Sequence, residues 1–276
     1  MNEHLTVAVR AARLAGDFLR QNFGKPLHID YKGPINPVTE VDRQAQTLII
    51  NTLQKAFPTY GVLSEEGLDT LVSGQPRWII DPLDGTTNYA HGYRLFAVSI
   101  ALEVSGEVEL GVVYNPLADE LFVAERGKGA RLNHRLIHVS NCSELGKAVV
   151  ASGFPYDMWD NPADNLAEWG RIVKRVLSVR CDGSATLDLC HVAAGRLDAF
   201  WELDLDPWDL AAGVLIIREA GGVVTDLNGA PFRLPQRSFL ASNGLLHQAL
   251  LEVITNANNK DTRTPIFLNE TQRKRD

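Results

Sequence analysis

Eight residues, Asp81-Pro82-Leu83-Asp84-Gly85-Thr86-Thr87-Asn88, constrain this chain more than any other stretch. They follow Trp78-Ile79-Ile80, an apolar run that reads as a short buried strand, so the spacing predicts a strand that delivers two aspartates straight into a turn. Pro82 fixes its own φ and restricts Asp81, which stiffens the corner. Gly85 lets the backbone come close to a ligand, and Thr86 and Thr87 can cap the helix or turn that follows. Two hard carboxylates beside backbone N–H groups suit a divalent cation that bridges to a phosphate. A lone Asp-x-x-Asp is also an ordinary Asx-rich turn. Matching carboxylates elsewhere decide between the two.

The rest of the chain is read first for what could carry such carboxylates. Its 276 residues suit a single domain of two packed halves, about 1–145 and 146–255, with a polar tail over 256–276. A net charge of −7 argues against a nucleic-acid partner held by bulk charge. Cys142, Cys181 and Cys190 form no C-x-x-C pair and leave one over, which suits a reducing cytoplasm. No run reaches membrane-spanning length, and none reads as a cleaved leader. The expectation is a cytoplasmic protein with no membrane partner.

The first half begins with helical spacing over residues 5–23, with Leu5, Ala8, Ala12, Ala15 and Leu19 on one face. An extended piece (27–32) and a turn (33–37) lead to Thr39, an N-cap with Asp42 as its capping-box partner. Val41, Ala45, Leu48, Ile49, Thr52, Leu53 and Ala56 line the next helix, which Pro58 ends. A strand over 60–63 delivers Ser64-Glu65-Glu66-Gly67. Strands over 95–104 and 107–114, joined by Ser105-Gly106, predict a hairpin, and 120–125 and 129–132 continue the meander.

The second half alternates. Strands are predicted over 148–152, 178–180, 197–203, 223–226 and 238–241, and helices over 163–176, 184–194, 207–220 and 245–255. This order layers helices on a sheet, an α/β class.

Three further acidic stretches sit at element junctions. Asp42 is a capping partner, Glu65 follows a strand, and Asp209 lies in the first turn behind Asp206 and Pro207. Each has a purely structural explanation. Together with Asp81 and Asp84 they fit one cluster, and a set of hard oxygens with no His or Cys points to Mg²⁺ or Mn²⁺ rather than zinc. P-loop, nucleophile-elbow and dinucleotide fingerprints are absent. Metal-assisted displacement at phosphorus is the chemistry that remains.

These blocks resemble the inositol monophosphatases, bacterial-type members of the Mg²⁺-dependent, lithium-sensitive phosphatase superfamily. The matching residues are Asp81 to Asn88, Ser64-Glu65-Glu66, Trp208-Asp209 with Gly213, Glu219-Ala220-Gly221-Gly222, Val38 to Asp42 and Gly183 to Leu189. The resemblance implies a layered α/β/α/β/α sandwich and a homodimer. It implies that Glu65, Asp81 and the Leu83 carbonyl hold one metal and that Asp81, Asp84 and Asp209 hold a second. Glu65 would help a third. Thr86 paired with Asp42 would orient and activate the attacking water, and the Gly85 and Thr86 amides would grip the phosphate. Glu202 would contact inositol hydroxyls, beside the Ser184-Ala185 backbone.

The implied reaction is hydrolysis of a small-molecule phosphate monoester, inositol monophosphate, by direct attack of a metal-activated water. Fructose 1,6-bisphosphate, 3′-phosphoadenosine 5′-phosphate and histidinol phosphate are alternative substrates, and a non-catalytic regulatory protein on the same scaffold is the rival from another class. Arg94 departs from the family pattern, which often has proline there. Asp204 and Asp206 would discourage a second phosphate at the substrate mouth, whereas Arg94 and Arg180 would attract one.

Overall fold

Helical periodicity at the N-terminus produces α1 (Glu3–Asn22), capped by the Asn2 side chain, with Leu5, Ala8, Ala12, Ala15 and Leu19 buried as their spacing predicts. The computed structural model describes residues 2–26, 29–31 and 37–255. Residues 33–36 of the turn expected over 33–37 and the tail at 256–276 lie outside them, whereas Pro37 is in a strand.

After α1 come β1 (Ile29–Tyr31), β2 (Pro37–Thr39) and α2 (Glu40–Ala56). Thr39 and Asp42 form the predicted capping box, but Leu48, expected on the buried face, is exposed. There follow β3 (Gly61–Ser64), β4 (Leu68–Thr70), β5 (Arg77–Asp84), α3 (Thr86–Ala90), β6 (Ala97–Val104), β7 (Glu107–Asn115), β8 (Glu120–Glu125), β9 (Ala130–Leu132) and β10 (Arg135–Leu136). The second half supplies β11 (Val149–Ser152), α4 (Leu166–Ile172), β12 (Ser178–Arg180), α5 (Ala185–Ala193), β13 (Ala199–Glu202), α6 (Pro207–Glu219), β14 (Val223–Thr225), β15 (Phe239–Ser242) and α7 (His247–Thr255).

Among the described residues, the large sheet has the order β10-β9-β8-β7-β6-β5-β3-β4. Its one parallel pairing is β3 with β5; the other neighbours run antiparallel. The second sheet is mixed, in the order β12-β11-β13-β15-β14. Alternation along β5 and β6 divides the core. Trp78, Ile80, Val98 and Ile100 face α1 and α2, while Ile79, Ala97 and Ala101 face α5 and α6. Phe200, Phe239 and Ala241 of the second sheet pack on the other side of α5 and α6, and Trp201 and Leu240 face Ile172 of α4 and Leu250 of α7. The layers therefore run α/β/α/β/α, as the resemblance implied. No helix among the described residues is long and apolar enough to cross a membrane.

The sequence does not predict β4 or β10, and two predicted elements take a different course. The strand over Trp78–Ile80 does not give way to a turn but continues to Asp84, because the pairing with β6 shifts register between Asp81 and Asp84. Such an irregularity tolerates Pro82, which has no N–H to give to a ladder. The helix expected over 163–176 starts only at Leu166. Asn165 has φ 68° and cannot belong to it. Its amide is committed elsewhere, donating to Ser152 Oγ (2.8 Å) and the Gly153 carbonyl (2.6 Å) and accepting from Trp201 Nε1 (2.8 Å).

Candidate active site

The parallel pairing of β3 and β5 is what brings the first two acids together. Ser64 stands opposite Ile80, and the Glu65 amide donates to the Ile80 carbonyl at 3.2 Å, so Glu65 and Asp81 leave the same edge of the sheet. Asp81 is 1% exposed, and its Oδ1 accepts from the Leu83 amide at 2.9 Å. Gly85 ends the strand at φ 92°. A Cβ there would sit 3.0 Å from the Leu95 carbonyl and 3.1 Å from that of Gly183, so backbone and conformation both require glycine.

Asp42 reaches this edge from α2. Its Oδ2 accepts from the Thr39 amide at 2.8 Å and from the Thr39 hydroxyl, while Oδ1 accepts from Thr86 Oγ1 at 2.8 Å. The Thr86 hydroxyl also lies 3.0 Å from the Leu83 carbonyl. A hydroxyl has a single proton, so whichever of the two acceptors takes it, the lone pairs of the oxygen stay free to receive a proton.

The other wall comes from the second half. Asp84 Oδ2 accepts from Ser184 Oγ at 2.6 Å, from the Thr186 amide at 2.8 Å and from the Thr186 hydroxyl, which ties β5 to the start of α5. Asn88 Nδ2 donates to the Leu95 carbonyl and the Asp182 carbonyl, each at 2.8 Å. Asp209, three residues into the capping box of α6, accepts from the Asp206 amide through Oδ2 at 2.8 Å. Glu202 ends β13, and its carboxyl leaves no room for a Cβ on Gly153.

Glu65, Asp81, Leu83, Asp84, Gly85, Thr86, Ser184, Ala185, Glu202 and Asp209 all line one cavity of about 500 Å³. Asp42 sits behind it, joined through Thr86. The fold thus gathers every sequence-predicted site residue.

The electrostatics of the cavity call for positive charge. Burial, and then repulsion from Glu65, Asp84 and Asp209, hold the Asp81 carboxyl well above the usual range. Asp209 is raised in the same way by burial, Asp84 and Glu65. Burial raises Asp84 although four donors from Ser184, Thr186 and Ala185 oppose it. Burial also raises Asp42, against the pull of Thr39 and Thr86. Asp81 and Asp209 each give one oxygen to a backbone amide, which leaves the second for the cavity. These oxygens and the Leu83 carbonyl form a hard, nitrogen-free donor set that fits Mg²⁺-type ions.

Among the described residues, the group of acids and histidine whose ligand atoms all lie within 4.8 Å of one another is a different one, Asp182, Asp188 and His191. The expected set is spread more widely, which suits several ions about 3.5–4 Å apart better than one.

Sequence reasoning passed over Asp188, Asn88 and Tyr156, which also line the cavity. Asp188 and Asn88 lay inside recognised blocks but carried no spacing signal of their own. Tyr156 lies in the Gly153–Tyr156 loop, which matched no pattern. Arg94 and Arg180, expected to attract a second phosphate, do not line the cavity; Arg180 folds back on Ser178. Asp204 and Asp206 do line it, but Arg237 pairs with them at 3.1 and 3.2 Å and offsets the repulsion expected of them.

Residues 1–259 match the model of the inositol monophosphatase family. An inositol-1-monophosphatase of Mesorhizobium japonicum is 46% identical over 253 residues, 91% of this chain and 95% of that protein. The Nus factor SuhB of Pseudomonas aeruginosa is 42% identical over 263 residues, covering 92% and 96%. The crystal structure of the extragenic suppressor protein suhB from Bartonella henselae superposes with a TM-score of 0.87 at 43% identity, covering 92% of this chain and 98% of that one.

Proposed function

The chain belongs to the inositol monophosphatase family, and we propose that it hydrolyses inositol monophosphate to inositol and phosphate. Membership makes it a metal-dependent phosphatase; the substrate and the ion are our reading. The observation that carries it is the Asp42–Thr86 hydrogen bond set beside four buried or half-buried acids in one cavity.

Glu65, Asp81, the Leu83 carbonyl, Asp84 and Asp209 would hold two or three Mg²⁺ ions, with Mn²⁺ as a substitute. When bound, these ions neutralise the phosphate oxygens and make a water more acidic. The protein's own part is positioning. Thr86 Oγ1 takes a proton from the attacking water as it hands its own to Asp42, whose raised affinity for protons suits that role. The new P–O bond forms as the ester P–O bond breaks, and the inositol oxygen leaves with a proton from solvent. The amides of Gly85 and Thr86 hold the phosphate. Glu202, pushed up to about 8 by burial and by Asp84, would hold a substrate hydroxyl together with the Ser184-Ala185 backbone.

Phosphate release from inositol 1-phosphate, fructose 1,6-bisphosphate, 3′-phosphoadenosine 5′-phosphate and histidinol phosphate tests this. Mg²⁺-dependent, Li⁺-blocked release fastest from inositol 1-phosphate is expected. Unchanged turnover in Asp84→Asn would sink the site assignment. The SuhB name of the Pseudomonas relative supports one other reading, a non-catalytic regulatory protein. Failure on the whole panel with Mg²⁺ or Mn²⁺ would favour it. A homodimer is expected and is checked by light scattering.

A further inference from the structure

We infer that Asp182, Asp188 and His191 form a second cation site, distinct from the catalytic carboxylates and suited to a borderline transition-metal ion such as Zn²⁺. Asp188 and His191 lie three residues apart on α5 and so project from the same face. Asp182 precedes the helix in a loop fixed from the far side, where its carbonyl accepts from Asn88 Nδ2 at 2.8 Å. One ligand atom from each residue lies within 4.8 Å of the others. Tetrahedral ligands of one zinc ion, each about 2.0–2.2 Å from it, stand roughly 3.3–3.6 Å apart, so three atoms within 4.8 Å of one another need close by at most about 1.5 Å, within reach of side-chain rotation.

A second observation is independent of that spacing. Asp188 is 2% exposed, yet its Oδ1 has no hydrogen-bond partner. A buried carboxylate oxygen left unpaired is costly and rare, and a bound ion removes the cost. Burial first, and then the neighbouring Asp182, Glu202 and Asp84 carboxylates, hold the Asp188 carboxyl well above the usual range, so a cation beside it relieves that repulsion. His191 is held toward its neutral form by burial and by Arg196, and the neutral imidazole is the ligating form.

The chemistry also separates this site from its neighbour. The catalytic set offers only oxygen. Here an imidazole joins two carboxylates, a mixture that favours zinc and its neighbours over Mg²⁺. Two negative carboxylates are neutralised by a 2+ ion, leaving the neutral histidine as the third donor. Asp188 lines the catalytic cavity, so the ion would sit in its wall.

The full chain, saturated with Mg²⁺, is titrated with Zn²⁺ against a chromophoric chelator. One equivalent of Zn²⁺ is expected to survive Mg²⁺ saturation. Its affinity should fall on the order of 10- to 100-fold or more in Asp188→Asn and in His191→Gln, and persist in Asp84→Asn and Asp209→Asn. X-ray absorption of the zinc adduct should show a nitrogen donor at about 2.0–2.1 Å that His191→Gln removes. His191 is only partly buried, so that variant carries the test if Asp188→Asn does not fold. No equivalent above Mg²⁺, equal affinity in His191→Gln, or loss in Asp84→Asn would each overturn the assignment. The last would place the ion among the catalytic carboxylates.

Discussion

The starts of α2 and α6 are built alike and used differently. Each helix opens with a capping box that has an aspartate at its third position, Asp42 behind Thr39 and Asp209 behind Asp206. In α2 both oxygens of that aspartate are taken, one by Thr39 and one by Thr86. In α6 one oxygen serves the Asp206 amide, and the other is left at the cavity. The same local motif therefore yields an acid that holds a hydroxyl and an acid that can hold an ion. The difference lies in what the fold sets opposite each carboxylate. A capping box secures the helix end and leaves the fate of the second oxygen open.

Asp209→Asn should break the α6 side of this comparison most visibly. Its amide oxygen still accepts from Asp206, so stability should change little, while kcat should fall on the order of 10²- to 10³-fold, the scale of losing one preorganised electrostatic partner. Phosphate release and a thermal melt on the same sample check both halves. An equal loss of activity and stability would mean that Asp209 is structural.

Asp42→Asn should instead lose both. An amide cannot accept from all of its donors, so a fall on the order of 10² in kcat is expected together with about 1–3 kcal/mol of stability. Denaturant unfolding measures the second part. Intact stability with activity lost would mean that Asp42 does not hold α2 in place.

The pH dependence separates the two ends further. The raised Asp81, Asp84, Asp209, Asp42 and Glu202 bind more protons in the folded chain than in the unfolded one. Their contribution to stability is therefore complete below the ordinary carboxylate range. It is lost as pH rises through the folded values, which for Glu202 is about 8. The cation-free protein should melt lower at about pH 8 than at about pH 5. Mg²⁺ at 100 times its Kd should restore about 2.7 kcal/mol, or several degrees of Tm, mainly at the higher pH. A Mg²⁺ effect of equal size at both pH values would break the assignment of these acids to the cation.

The smallest effect expected is that of Thr39→Ala, about 1 kcal/mol for the lost cap. A few-fold fall in kcat should accompany it, as Asp42 loses the Thr39 hydroxyl that steadies it.

Much of this was legible in the residues. Thr39 with Asp42, the Ser105-Gly106 hairpin and the buried run at Trp78 are local signals, and each element formed where it was expected. What local signals could not carry was tertiary. Pro82 reads as the end of a strand, yet it lies within β5 because the ladder is already irregular there. Asn165 reads as helical and is pulled out of the helix by partners in β11 and β13. In the site, carboxylates at element junctions could be picked out by type. Asp188 could not, because nothing near it in sequence shows that its Oδ1 is left without a partner.

The bonds from Ser184 and Thr186 to Asp84 have a bearing on how the molecule is made. Asp84 belongs to a strand of the large sheet, and its donors lie at the start of α5, about 100 residues later in the chain. A nascent chain that has folded only its first sheet holds Asp81 and Asp84 without that brace and without Asp209. Such an intermediate has no finished pocket. Phosphate release would begin only after the two sheets have docked through α5 and α6, and its onset during refolding would time that docking.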